Sequence, residues 1–160
     1  MPKKYAFPAF LAGVVSQDVY LRWLQRKAQA HVKRDRRRGN VSATNAAYKQ
    51  AIHAAVLDCA GRDSYTGDWL QWERISQYDN DESKEQGRHY KKGLALLPTV
   101  DHVGDGTGAA DFVICGWRTN DTKNDLSLSE FISVCQAVLK HQGFVIQRSG
   151  NSNNNGPEEA

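Results

Sequence analysis

The chain has 160 residues and a net charge of +3, which suits one domain that buries a core of its own. No run of ~18 apolar residues occurs, so the sequence excludes a membrane-spanning helix. Its three cysteines, Cys59, Cys115 and Cys135, are widely spaced and form no Cys-x-x-Cys pair. This spacing argues against a disulfide framework and a four-cysteine zinc site, and the apolar surroundings predict three buried free thiols in a reducing cytoplasm.

The charge is distributed unevenly along the chain. Residues 1–60 carry eleven Lys and Arg against three Asp and Glu, whereas residues 61–160 carry ten against fifteen. The basic side chains concentrate in one run that only Asp35 opposes: Arg22, Arg26, Lys27, Lys33, Arg34, Arg36, Arg37 and Arg38. A cluster of this kind attracts polyanions, so we expect it to contact nucleic acid. The alternative is a solvated helix face with a charged end.

Two helices are predicted in the basic part of the chain, residues 16–60. The first extends over 16–38, because Ser16 can cap its start and an apolar stripe follows at helical spacing: Val19, Tyr20, Trp23 and Leu24. The second covers about 45–59, with Thr44 or Ser42 as its cap and Gly61 as its stop. Its inward positions are expected to be Tyr48, Ile52, Ala55, Val56 and Cys59.

An irregular segment is predicted over 62–80, where Trp69 and Trp72 are expected to pack. The charged segment 81–92 is predicted to form a third, exposed helix.

The periodicity then changes to that of strands. An apolar run over 94–100 predicts a short strand that Asp101-His102 closes, and 112–117 predicts a second one after a glycine-containing loop. The polar segment 118–125 is expected to form one short helix.

A last helix is predicted from the capping box of Ser127 and Glu130 to about His141. Its inward face is expected to contain Phe131, Ile132, Cys135, Val138 and Leu139. Residues 151–160 are rich in Asn and predict a disordered tail, which leaves residues 1–150 as a single domain.

The residues that carry chemistry follow this change of period: Asp101-His102, Asp111, Asn120 and Lys123. A strand–loop–strand–helix unit would bring the end of the first strand next to the helix that carries Asn120. Oxygen donors from Asp101 and Asn120 suit a hard divalent ion that keeps several waters. A neutral imidazole, here that of His102, can take a proton from an attacking water near neutral pH. The set therefore suits phosphodiester cleavage.

The segments 98–104 and 114–125 resemble the ββα-metal motif of the HNH, or His-Me finger, endonucleases, over roughly residues 94–141. The resemblance implies that Asp101 and Asn120 are metal ligands and that His102 is the general base. Asp111 would take the central position, which braces the loop. Lys123 would hold a phosphate or lock the helix, and Arg118 would counter charge on the phosphate. The central position is Asp rather than the usual Asn, so this acid could instead approach the metal.

These observations predict an α+β domain in which a small ββα-metal core packs against largely helical N-terminal segments. The expected function is that of a metal-dependent endonuclease acting on DNA, with Mg²⁺ or Mn²⁺ as the ion. Ni²⁺ and Zn²⁺ also occur at such sites in the family. A double-strand cut would need a homodimer if each chain has one site. One alternative is a non-catalytic nucleic-acid-binding module that uses the basic helix 22–38, and another is an interaction protein bound to an acidic partner.

Overall fold

Six helices and one antiparallel pair of strands make up the fold over residues 4–77 and 80–149, which the computed structural model describes. The helices are α1 Gln17–Arg37, α2 Asn45–Cys59, α3 Asn80–Gln86, α4 Arg88–Gly93, α5 Trp117–Lys123 and α6 Leu128–His141, and the strands are β1 Pro98–His102 and β2 Phe112–Gly116. This architecture confirms the predicted α+β class.

The two N-terminal helices begin and end where local chemistry predicts. Ser16 Oγ accepts a hydrogen bond from the Val19 N–H at 3.2 Å, which caps α1. Thr44, rather than Ser42, caps α2 in the same way. Helix α2 stops because Ala60 adopts the left-handed conformation, with φ of 47°, just before Gly61.

The strands pair in a register that places His102 opposite Phe112 and Val100 opposite Ile114. The first strand begins at Pro98, later than predicted, because residues 94–97 form a turn closed by the Leu97 N–H and the Leu94 carbonyl. The second strand ends at Gly116, where Asp63 Oδ2 accepts from the backbone N–H and from the Thr119 hydroxyl. The two hydrogen bonds to Asp63 lie where β2 ends and α5 begins.

One hydrophobic core joins α1, α2 and the sheet. Its fully buried members include Leu11, Tyr20, Leu24, Ile52, Val56 and Ile114. Trp72 is buried as predicted, but Trp69 is 60% exposed, and the Arg62 guanidinium lies 4.0 Å from its ring centroid. Trp69 thus packs within this segment, but against Gly61 and the Arg62 guanidinium at the surface rather than in the core.

The predicted helix over 81–92 is divided in two. Gly87, with φ of 52°, separates α3 from α4. A residue with positive φ cannot continue a right-handed helix, so the two short helices can point in different directions.

The chain divides into two compact units, the first ending at Asp125 and the second beginning at Leu126. The predicted single domain over 1–150 stays a prediction, since the division concerns compactness alone. The second unit contains α6, and Ser127 and Glu130 form the predicted capping box.

The predicted inward face of α6 was wrong. No residue of α6 is buried: Phe131 is half-buried, and Ile132, Cys135, Val138 and Leu139 are exposed. The reason is that α6 is the one helix in the described part of its unit, residues 126–149, and a single helix cannot cover its own apolar stripe. Cys59 and Cys115 are buried free thiols as predicted, whereas Cys135 is free but exposed.

Two expectations remain, one for the C-terminal tail and one for a membrane-spanning helix. The tail predicted over 151–160 lies outside the described residues. Within the described ranges, none of the helices combines the length and the apolar character needed to cross a bilayer.

Candidate functional site

A cavity of about 520 Å³ opens between the second half of α1, the end of β1 and helix α5. It brings together four of the residues that the sequence singles out: Asp101, His102, Asn120 and Lys123. Arg34 of α1 and Arg38, which directly follows the helix, line the same cavity, so the basic helix and the ββα unit meet there.

His102 is held by a buried acid from α1. Its Nε2 lies 2.7 Å from Asp35 Oδ2, and the Asp35 side chain is fully buried. The same carboxylate oxygen accepts a hydrogen bond from the Tyr48 hydroxyl at 2.7 Å. Because a carboxylate can only accept, Nε2 carries a proton, and in the neutral imidazole the lone pair of His102 is therefore on Nδ1. The imidazole is thus fixed in the tautomer that leaves Nδ1 as a base.

Two rings pack against His102 from the core. The His31 ring centroid lies 4.7 Å from that of His102, and the Phe112 centroid lies 4.9 Å away. Burial, as the largest cause, and repulsion from His102, Arg34 and Lys27 together lower the pKa of His31 to about 3. His31 therefore stays neutral near neutral pH and acts as an apolar support for the His102 ring.

We expect His31 to make the fold acid-sensitive. Its pKa in the folded chain, about 3, lies below its ordinary value of 6.5, so at pH below ~6.5 the unfolded chain binds a proton that the folded chain does not. This histidine then lowers the free energy of unfolding by up to ~1.4 kcal/mol per pH unit until the pH approaches 3. His31→Phe should remove this contribution and flatten the decline.

The measurement is urea unfolding at several pH values between 7 and 4, as a difference between variant and wild type. Loss of the backbone hydrogen bond from His31 to Val100 lowers stability equally at each pH and cancels in the slope. His89→Phe, at an exposed position, controls for the loss of one histidine. Equal slopes for wild type and His31→Phe would contradict the prediction.

Asp101, which precedes His102 on β1, lies in a buried polar cluster. Its Oδ2 accepts from the Tyr65 hydroxyl at 2.7 Å and forms an ion pair with Lys123 Nζ at 2.9 Å. Burial raises the pKa of Tyr65, and the hydrogen bond to Asp101 raises it further, so the hydroxyl stays protonated and donates. Lys123 is buried as well, which fits the predicted role of locking α5 to the strand.

The donor set of the cavity fits a hydrated hard cation. Among the residues that the structure describes, no three His, Cys, Asp or Glu side chains are grouped so as to enclose a metal ion. Asp101 and Asn120 offer two oxygen donors, and Mg²⁺-like ions commonly use one or two carboxylates and keep several waters. Four carboxylates line the cavity against three cationic side chains. A divalent cation would therefore make the cavity more favourable for a phosphate, and it would share Asp101 with Lys123.

The loop between the strands is braced by a residue that the sequence did not indicate. Asn40 Nδ2 donates to the carbonyl oxygens of Gly106 and Gly108, at 2.9 and 3.0 Å. A Cβ at Gly106 would lie 2.8 Å from Asp35 Oδ1, and φ there is +79°, so this position requires glycine. The side chain of Asp111 is exposed and is not among those lining the cavity; its backbone carbonyl accepts from the Val103 N–H at 3.0 Å. The bracing expected of the Asp111 side chain is thus supplied by Asn40.

Arg118 is not brought to His102. It lines a separate cavity of about 310 Å³ together with three basic residues of α4: Arg88, Lys91 and Lys92. Helix α4 is therefore a second element, besides α1, that supplies basic side chains to the surface.

The basic residues of α1 divide by the surface they face. Arg34 and Arg38 line the cavity with His102, and Arg26 and Lys27 line a neighbouring one of about 550 Å³. Arg22 contributes to a third depression near the start of the helix. Lys33, Arg36 and Arg37 are exposed, and Arg36 Nε also donates to the Ala43 carbonyl.

Sequence reasoning missed Asp35, Asn40 and Tyr65. Asp35 did leave a signal, because it continues at helical spacing the buried stripe that runs through Tyr20, Leu24, Ala28 and His31. An acid on the buried face of a basic helix needs a partner there. Asn40 and Tyr65 lie in irregular segments, where spacing carries no such information.

Comparison of the whole chain with family models, with curated proteins and with solved structures found no significant match in any of the three.

Proposed function

We propose that the chain is a metal-dependent nuclease of the HNH kind that hydrolyses DNA phosphodiester bonds. The observation that carries the proposal is the cavity in which a tautomer-fixed histidine, an acid, an amide and three cations converge. Few other reactions need all four groups at one place, whereas phosphodiester hydrolysis uses each of them.

His102 serves as the general base in this proposal. Its Nδ1 takes a proton from the attacking water, while Nε2–H remains bonded to Asp35. The buried carboxylate of Asp35 then stabilises the imidazolium that forms, because the two opposite charges are 2.7 Å apart in a site with little water.

The phosphate is bound by positive charge on two sides of the cavity. Arg34 of α1 and Arg38 at its end line one side of the cavity, and on the other side Lys123 of α5, paired with Asp101, adds positive charge. A divalent ion held by Asp101 and Asn120 would polarise the phosphate and stabilise the leaving 3′ oxygen. Mg²⁺ or Mn²⁺ suits these oxygen donors best. The exposed side chains of α1, among them Lys33 and Arg37, add phosphate contacts that do not depend on sequence.

A plasmid assay tests the proposal. Supercoiled DNA at low salt should be converted to nicked circles in Mg²⁺ or Mn²⁺, or in one of the alternatives Ni²⁺ and Zn²⁺, and should stay intact in EDTA. A His102→Ala sample purified in parallel shows whether the activity belongs to this cavity.

Absence of cleavage with all four ions would overturn the nuclease proposal. If the protein then still retained the plasmid in a salt-sensitive manner, the result would favour a non-catalytic nucleic-acid-binding module.

A further inference from the structure

A second cavity, of about 550 Å³, lies beside the one that holds His102. Each cavity is lined by the same three elements. The second cavity is formed by the earlier residues of each element, namely Lys27 of α1, Thr99 of β1 and Trp117 of α5. The cavity that holds His102 is formed by later residues, among them Arg34, Asp101 and Asn120. The two cavities therefore follow each other along α1, β1 and α5.

The lining of the second cavity combines an apolar surface with cations. The buried side chains of Trp23, Ile75 and Pro98 form its apolar floor, and Leu97 and Trp117 are half-buried at its edge. Lys27 Nζ lies 3.4 Å from the Thr99 hydroxyl, and Arg26 Nη2 donates to the Ile75 carbonyl at 3.2 Å. An aromatic platform edged by fixed cations is the arrangement that binds a base and its phosphate in single-stranded nucleic acid.

Cations surround Trp117 on more than one side. Lys91 Nζ of α4 lies 5.6 Å from the centroid of its ring. Trp117 also lines the cavity of about 310 Å³ that contains Arg88, Lys92 and Arg118. Positive charge from α1 and from α4 thus flanks one aromatic ring.

The size and spacing of the two cavities suit single nucleotides. A cavity of about 550 Å³ is of the size that holds one small ligand, and one nucleotide fits it. Lys27 and Arg34 are seven residues apart on α1, which places them ~10.5 Å apart along the helix axis. That separation is short enough for neighbouring nucleotides of one strand to occupy both cavities.

We propose that the cavity lined by Lys27, Thr99 and Trp117 binds one unpaired nucleotide next to the phosphate that is cut. This inference rests on the proposed nuclease and names its substrate class: single-stranded DNA, or DNA with an unpaired segment such as a flap or an overhang. Burial, together with repulsion from Arg26 and Arg34, lowers the pKa of Lys27 to about 8. A phosphate at this site would pair with the Lys27 ammonium and favour its charged form.

The test measures binding in EDTA, so that it does not depend on cleavage. The probe is a short DNA oligonucleotide with one 2-aminopurine, either single-stranded or annealed to its complement. Wild type should quench the fluorescence of the single strand, because the base stacks on an indole, and should bind it more tightly than the duplex at equal length and salt. Trp117→Leu should abolish the quenching and weaken single-strand binding about 10- to 100-fold.

Two matched controls and a second variant keep the test decisive. Trp69→Leu removes a tryptophan outside both cavities and should leave quenching unchanged. Lys27→Met preserves the length of the side chain and should lower the salt dependence of single-strand binding by about one phosphate contact. Lys84→Met, an exposed lysine on α3, should not change it.

The outcomes separate this inference from the nuclease proposal. Quenching that depends on Trp117, without any metal-dependent cleavage, would support the nucleotide site and overturn the nuclease. Cleavage that requires His102, with equal binding of duplex and single strand and no effect of Trp117→Leu or Lys27→Met, would overturn the nucleotide site alone.

Discussion

Replacing His102 by alanine is expected to lower the rate of metal-dependent plasmid nicking by about 10²- to 10⁴-fold, the usual cost of losing a general base. The reason is that His102 lines the cavity with Asp101 and Asn120 and has Nδ1 left to accept a proton. Binding of the plasmid should change little, because Arg34, Arg38 and the exposed side chains of α1 remain. The measurement is initial nicking rate together with filter retention of the same DNA.

The alanine variant needs a control for folding. It leaves the carboxylate of Asp35 buried without its imidazole partner, which is costly. His102→Gln offers the amide as a donor to Asp35 but supplies no base, so it should be folded and equally inactive. His89→Ala, at an exposed position, should keep wild-type activity. Nicking by folded His102→Gln at the wild-type rate would show that another group activates the water.

Local features of the fold could be predicted from the sequence because they depend on few neighbouring residues. A serine or threonine side chain caps the helix that follows it, so Ser16, Thr44 and Ser127 mark three helix starts. The positions of Asp101 and His102 at the end of a strand were also predictable, since the apolar run stops there and polar residues with glycines follow.

The partner of His102 could not be predicted in the same way. Asp35 is 67 residues away in sequence, and only the packing of α1 against the end of β1 brings the two side chains together. The local sequence pattern assigns Asp35 to the charged side of a basic helix, where its negative charge offsets part of the excess positive charge. Its burial depends on tertiary contacts with Tyr48 and the loop at Gly106.

The inward face predicted for helix α6 was wrong for a related reason. The apolar spacing of Ile132, Cys135 and Leu139 predicts a face that favours an apolar partner, but it does not say that the partner lies in the described part of the same unit, residues 126–149. The capping box needs no partner beyond its own four residues, so that prediction was confirmed.

Replacing Asp35 by asparagine is expected to lower the nicking rate by about 10²- to 10⁴-fold while the protein stays folded and binds DNA. Asparagine has nearly the same shape but can donate as well as accept a hydrogen bond. Its amide can donate to Nε2 of His102, which moves the proton to Nδ1 and removes the base. In the serine-protease triad, the same change costs about 10⁴-fold by the same effect on tautomer.

A structural role for Asp35 alone would not change the tautomer, so the tautomer is the decisive readout. A long-range ¹H–¹⁵N spectrum should place the proton of His102 on Nε2 in wild type and shift it toward Nδ1 in Asp35→Asn. Tyr48→Phe is the matched control, because it removes the other hydrogen bond to Asp35 Oδ2 and leaves the bond to His102 in place. It should lower stability by ~1 kcal/mol and leave the rate nearly unchanged. If Asp35→Asn nicked DNA at the wild-type rate with Nε2 still protonated, Asp35 would be a packing residue, and the orientation of the base would have to come from His31 and Phe112 alone.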